Sequence, residues 1–165
     1  KTGVKQASIS DLSTLLGKKD RRLRQMAQFE LVARGDLGRK VLVATATDKT
    51  VATTTRLHGV WGLGQLARSG DNARELISLL VDADAEVRAN AARVLGHAGT
   101  VSAKTGLIAL LADKSPRVRS LAAIALGRVA KLGDAAVVDA LFRLAADTGA
   151  ATEFDPVLRH ACLSA

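Results

Sequence analysis

An arginine recurs along this chain at a nearly constant interval, and the residues after it recur with it. Arg24 is followed by Ala27, Leu31 and Val32, and Arg56 by Gly59, Leu63 and Gly64. Arg88 is followed by Ala91, Leu95 and Gly96, and Arg119 by Ala122, Leu126 and Gly127. Arg159 opens a further copy with Cys162. The steps between these arginines are 32, 32, 31 and 40 residues. A small residue at +3 and a leucine at +7 share one face of an α-helix. One helical unit of this kind cannot bury its apolar stripe alone, so units repeated at this period stack on each other. The expected fold is all-α, an α-solenoid.

Composition narrows the kind of core. The chain is 48% hydrophobic but has no tyrosine, three phenylalanines and one tryptophan. Its helices must therefore approach closely on Ala, Leu and Val rather than on aromatic anchors. A single cysteine excludes an internal disulfide and any multi-cysteine metal site. No apolar run approaches the roughly 18 residues of a membrane span, so none is expected. The start, Lys-Thr-Gly-Val-Lys, has neither an apolar signal region nor an initiator Met, and reads as a piece of a longer chain.

Charge is distributed unevenly. Residues 1–68 hold 13 Lys/Arg against 5 Asp/Glu, whereas residues 69–165 hold 11 of each. A basic end attracts nucleic acid, anionic lipid or an acidic protein surface. The plain alternative is a solvated surface, since no stacking aromatics accompany it.

Residues 1–8 read as an arm or linker, and residues 9–165 as one solenoid domain of helix pairs. In the first pair, a helix capped by Ser10 runs to Leu16, and a second runs from Arg21 to about Arg34. Leu23, Met26, Ala27, Leu31 and Val32 line its inner stripe, and Gly35 suits a left-handed stop. The second pair has Val41, Leu42 and Val43 in its first helix, and a second helix over Ala52–Arg68. Glycines at 59, 62 and 64 each cost that helix about 1 kcal/mol against alanine, so something must need the space. In the third pair Asp71 and Asp84 are caps, Leu76, Ile77, Leu79 and Leu80 form a stripe, and Gly99 is a stop. The fourth has Ser115 as a capping hydroxyl before Pro116 at the first helical position. The fifth carries Val137, Val138, Leu141 and Leu144, then a long turn from Asp147 to Asp155.

The acid six residues before the arginine is the second recurring mark: Asp82 before Arg88, and Asp113 before Arg119. This combination resembles the HEAT repeat in its short bacterial form, from about Ile9 onward. The resemblance implies an armadillo-like, right-handed superhelix of about five stacked helical hairpins. It also implies a structural ladder of acids and arginines, carried here by Asp82, Arg88, Asp113 and Arg119. Arg24, Arg56 and Arg159 take the same place in the other copies. Lys18 and Thr50 stand where the acid should be before Arg24 and Arg56, leaving those two arginines without obvious partners. Glu153 replaces aspartate in the last copy.

A narrower resemblance rests on two stretches, Leu23 to Gly35 and Arg56 to Arg68. They are similar to the helical segment of large membrane-bound dehydrogenases of planctomycete-type bacteria, where a β-propeller precedes the repeats and a c-type cytochrome domain follows. That implies an extracytoplasmic redox protein in which this segment is the spacer. The Cys-x-x-Cys-His haem motif is absent from this sequence.

Candidate sites are few. His58 and Trp61 share one helix face and could line a small pocket opened by the neighbouring glycines; alternatively Trp61 fills a gap between repeats. His97 suits a helix C-terminus. His160 and Cys162 point to different faces. No catalytic constellation emerges, and no cofactor or metal is expected. The basic group Lys18, Lys19, Arg21, Arg22, Arg34, Arg39 and Lys40, with Arg24, is the candidate interaction surface. DNA glycosylases built from HEAT-like repeats are also basic. They need aromatics and a carboxylate around the damaged base, which this chain supplies poorly. The expected role is a non-catalytic scaffold for protein or interdomain contacts, with nucleic-acid backbone binding as the alternative.

Overall fold

The computed structural model describes residues 2–68, 73–131, 133–150 and 160. All regular structure among the described residues is helical. The chain divides into two compact units, Lys1–Glu75 and Leu76–Ala165.

Among the described residues, the first unit holds the α-helices α1 (Thr2–Lys5), α2 (Ile9–Leu16), α3 (Arg21–Ala33), α4 (Asp36–Thr47) and α5 (Thr53–Ala67). The cap of helix α2 lies two residues earlier than expected, at Ser8 and not Ser10. Ser8 Oγ accepts from the Asp11 backbone N–H, and the Asp11 carboxylate accepts from that of Ser8, each at 3.1 Å. This reciprocal pair satisfies two N–H groups that a helix start leaves without partners. Asp20 caps α3 by accepting from Arg22 N–H at 2.7 Å. Gly35, with φ of 56°, supplies the sharp reversal into α4.

Helices α3, α4 and α5 pack on each other through small residues and leucines. Leu12, Leu16, Leu31, Leu42 and Val60 are fully buried, each contributing about 2 kcal/mol of apolar burial. Two of the three glycines of α5, Gly59 and Gly62, have their explanation here. A Cβ on Gly59 would lie 2.6 Å from the Leu42 carbonyl oxygen and 2.7 Å from Ala46 N. One on Gly62 would lie 2.6 Å from Leu42 Cδ2. Both glycines let α4 approach, and neither opens a space beside His58.

The second unit contains α6 (Ala85–His97), α7 (Lys104–Ala109), α8 (Pro116–Val129) and α9 (Ala135–Ala150). The first helix of the third pair is a 3-10 segment, Arg74–Val81, burying Leu76, Leu79 and Leu80. Short 3-10 turns, Val101–Ala103 and Leu110–Ala112, flank α7. Asp84 caps α6 as expected, accepting from Glu86 N–H at 2.8 Å, and Gly99 follows it with φ of 63°. Pro116 is the first residue of α8, but the Ser115 hydroxyl makes no capping bond. The Asp113 carboxylate holds that turn instead, accepting from Ser115 N–H at 2.8 Å.

Helix α6 lies directly on α8. A Cβ on Gly96 would sit 2.6 Å from both Cα and Cβ of Ala125, so the two backbones meet at this point. Along α9, Val137, Leu141 and Leu144 are buried while Val138 faces outward. Helix α9 continues to Ala150, so the turn expected from Asp147 does not begin there. The expected cap Asp71, and Glu153, Asp155 and Arg159, lie outside the described residues.

Candidate interaction site

In the first four pairs the recurring arginine is the fourth residue of the second helix, and at Arg24, Arg88 and Arg119 its guanidinium reaches back over the preceding turn. Arg88 Nη1 donates to the carbonyls of Asp82 and Ala83 at 2.7 and 3.0 Å. Arg119 Nη1 does the same to Asp113 and Lys114, at 2.8 and 3.4 Å. Arg24 Nη1 donates to Lys18 and Lys19 at 2.8 and 2.7 Å. The acceptors are backbone oxygens, so this contact survives where the acid is missing. That corrects the expectation that Arg24 and Arg56 lack partners. Arg56, buried in the first unit, donates from Nε to the Ala46 carbonyl at 3.0 Å.

The carboxylates act one copy further on. Arg88 donates Nε to Asp113 Oδ2 at 2.7 Å and Nη2 to Asp113 Oδ1 at 2.9 Å. This two-pronged geometry suits a guanidinium and not an ammonium. The hydrogen bond from Arg88 holds the Asp113 carboxyl below its ordinary value, against the opposing effect of burial. Asp82 is buried, and its Oδ1 accepts from Asp84 N–H at 2.9 Å.

The corresponding acid near Arg24 is displaced. Three residues separate the preceding helix from α6 and from α8, but five, Asp48 to Ala52, separate α4 from α5. Asp48 follows its helix as Asp82 and Asp113 follow theirs, and its Oδ1 accepts from Thr50 N–H at 2.8 Å as theirs accept from Asp84 and Ser115; it also takes the Thr50 hydroxyl, at 2.6 Å. The guanidinium that bears on it is that of Arg56, not Arg24. Arg24 Nε is left shielded from solvent with no hydrogen-bond partner.

Beside Arg24 lies a cavity of about 360 Å³ between α3 and α5. Arg21, Arg24, Gln25, Gln28 and Phe29 line it from α3; Thr54, His58, Trp61 and Gln65 line it from α5. Both sets follow helical spacing, so each is one face of its helix. Inside, His58 Nδ1 lies 2.7 Å from Gln28 Oε1, and Gln28 Nε2 donates to Gln65 Oε1 at 3.1 Å. With that amide orientation the imidazole carries its proton on Nδ1. The Trp61 ring meets His58 edge-on, with centroids 5.1 Å apart. Burial, then the charges of Arg24 and Arg21, push the His58 pKa from 6.5 to about 4. His58 is neutral near pH 7, and the lining contains two cations and no carboxylate.

The basic group is only partly available. Arg34 pairs with Glu30 at 2.9 Å and also donates to the Lys5 and Ala7 carbonyls. Arg39 pairs with Glu75 at 2.7 Å. Lys18, Lys19, Arg21, Arg22 and Lys40 are exposed. His58 and Trp61 were expected together on one helix face, but Arg21 was expected only in the basic group, and Gln28 was not expected at all. A signal was present: Gln28 stands four residues after Arg24, where other copies carry Val60, Ala92 and Ala123. A polar residue in an apolar column needs a buried partner. Among the described residues no group of three or more His, Cys, Asp or Glu could hold a metal ion.

A family model for HEAT repeats matches residues 73–165. Among solved structures, the crystal structure of an engineered protein is similar over 95% of this chain and 77% of its own, with a TM-score of 0.62 and 22% identity. At that identity the likeness speaks for the fold alone. The curated proteins contain no match.

Proposed function

The chain belongs to the HEAT-repeat family, and from that premise we propose that it is a non-catalytic scaffold holding a partner protein or neighbouring domains of its own chain. HEAT repeats are generally protein-interaction scaffolds. One observation carries the reading: the recurring arginines are engaged within the fold. Arg88 is committed to Asp113 and to its own turn, and Arg24 and Arg119 brace theirs. What remains for a partner is exposed helix surface and the cavity between α3 and α5. Purified protein should show no hydrolase, glycosylase or redox turnover. Turnover that a single substitution removes overturns the reading.

The basic first unit favours a second reading, binding to a nucleic-acid backbone. Lys18, Lys19, Arg21, Arg22 and Lys40 form no ion pair among the described residues, whereas Arg34 and Arg39 do. Backbone binding would be non-specific and steeply salt-dependent. Duplex DNA that fails to bind at low salt removes this reading. Binding lost on substituting Lys18, Lys19, Arg21 and Arg22 by alanine promotes it. As a finer version of the scaffold role, the segment is a spacer in an exported dehydrogenase. The parent gene then encodes a signal sequence upstream and Cys-x-x-Cys-His downstream; a gene lacking both removes the spacer role.

A further inference from the structure

At Arg88 the outer edge of the guanidinium, Nε and Nη2, is filled by the Asp113 carboxylate. At Arg24 both hydrogen bonds to described residues leave from Nη1, and the buried Nε has no acceptor. Asp48, the acid that follows α4, takes the Thr50 N–H and hydroxyl and forms no ion pair with Arg24. Arg24 is thus a rung of the ladder without its acid, and it lines a cavity. A second guanidinium, Arg21, stands on the same wall one helical turn earlier and forms no ion pair among the described residues. Gln25 and Thr54 add polar groups, and Phe29 and Trp61 add apolar walls.

We infer that this cavity receives a carboxylate side chain presented by an acidic segment of a partner protein, held by the charges of Arg21 and Arg24. The inference rests on the scaffold reading above. The wall carries two guanidiniums and no carboxylate, and a carboxylate is the partner that Arg88 takes within the same fold. The apolar walls suit the methylenes of a glutamate and a flanking aliphatic residue. The excess of basic residues over residues 1–68 attracts an acidic partner before contact.

The chain's one tryptophan lies in this cavity, so its emission reports on occupancy directly. The probe is an acetylated, amidated pentapeptide, Ala-Leu-Glu-Leu-Ala, compared with its glutamine and phosphoserine counterparts and with duplex DNA. The glutamate peptide should shift Trp61 emission saturably, binding about tenfold more tightly than the glutamine peptide, the scale of a charge-assisted hydrogen bond. Arg24→Gln removes one of the two charges on the wall and should remove most of that preference. Arg21→Gln, at an exposed position, should weaken it without changing the melting temperature. Equal response to glutamate and glutamine peptides overturns the proposal. So does a preference that survives both variants, or tighter binding by phosphoserine peptide or DNA. A partner that binds while Trp61 stays silent overturns the cavity but not the scaffold. Turnover by the protein overturns the scaffold.

Discussion

Arg88 and Asp113 form a two-pronged ion pair that links helix α6 to the turn before α8, with contacts of 2.7 and 2.9 Å. Arg88 also clamps its own turn through the Asp82 and Ala83 carbonyls. One side chain therefore joins two successive repeats. Only 16% of the Arg88 side chain and 8% of the Asp113 side chain remain exposed, so water cannot replace either partner.

Arg88→Ala should destabilise the second unit by about 1–3 kcal/mol, because the Asp113 carboxylate is left buried and under-paired. Arg88→Lys should recover only part of the loss. Urea melts followed by circular dichroism measure both. Wild-type stability for Arg88→Ala would refute the tie. The Asp113 carboxyl is held below its ordinary value of 3.8, chiefly by the hydrogen bond from Arg88. Its contribution is present above that value and is lost as pH falls through the lowered one. The gap between wild type and Arg88→Ala should therefore narrow in strong acid.

The glycines rank by what a methyl group would strike. Gly59→Ala drives a Cβ into the backbone of α4, at Leu42 O and Ala46 N, whereas Gly62→Ala meets only the flexible end of Leu42. Gly96→Ala meets the Cα and Cβ of Ala125. Alanine gains about 1 kcal/mol of helix propensity at each site, against about 1–3 kcal/mol for overpacking. Melting temperatures should fall for Gly59→Ala and Gly96→Ala and change least for Gly62→Ala. The reverse order would mean that the helices separate without cost.

His58 predicts an acid sensitivity in the first unit. Its folded pKa is about 4 against 6.5. An unfolded chain therefore binds a proton between those values that the folded chain does not. The contribution is complete above pH 6.5 and is lost as pH falls towards 4. His58→Gln, which keeps hydrogen-bonding capacity, should flatten this part of the stability profile. The imidazole resonance of His58 should titrate near 4; titration near 6.5 would show that the ring is not shielded.

Two serines before helices should behave differently. Ser8 closes a reciprocal cap with Asp11, and Ser8→Ala should cost about 1 kcal/mol. Ser115 makes no side-chain capping bond, and Ser115→Ala should be nearly neutral. Denaturant midpoints of the two variants check the contrast.

Much of this was legible in the residues because it is governed by short-range rules. The arginine period, the cap at Asp84, the stops at Gly35 and Gly99, and the buried columns at Leu31, Leu63, Leu95 and Leu126 all follow from helical geometry and backbone sterics. The cap at Ser8 was also within reach, since Asp11 stands three residues beyond it. Ser10 was a competing hydroxyl, and only the reciprocal bonds chose between them.

Tertiary structure decided which groups meet across helices. Sequence spacing allowed Arg88 either the acid of its own turn or that of a neighbour; packing of α6 on α8 brought Asp113 to it. Spacing put Thr50 in the acid's place. The acid follows the helix at Asp48 as it does at Asp82 and Asp113, and the two extra residues between α4 and α5 put it eight positions, not six, before Arg56. Gly59 and Gly62 of α5 were linked to His58 by proximity in sequence, but they serve the contact with α4. A long side chain's partner depends on the relative placement of two helices and the length of the turn between them. The chain alone thus determined a stack of arginine-braced helix pairs. The packed fold determined that one rung, at Arg24, is left facing a cavity without its acid.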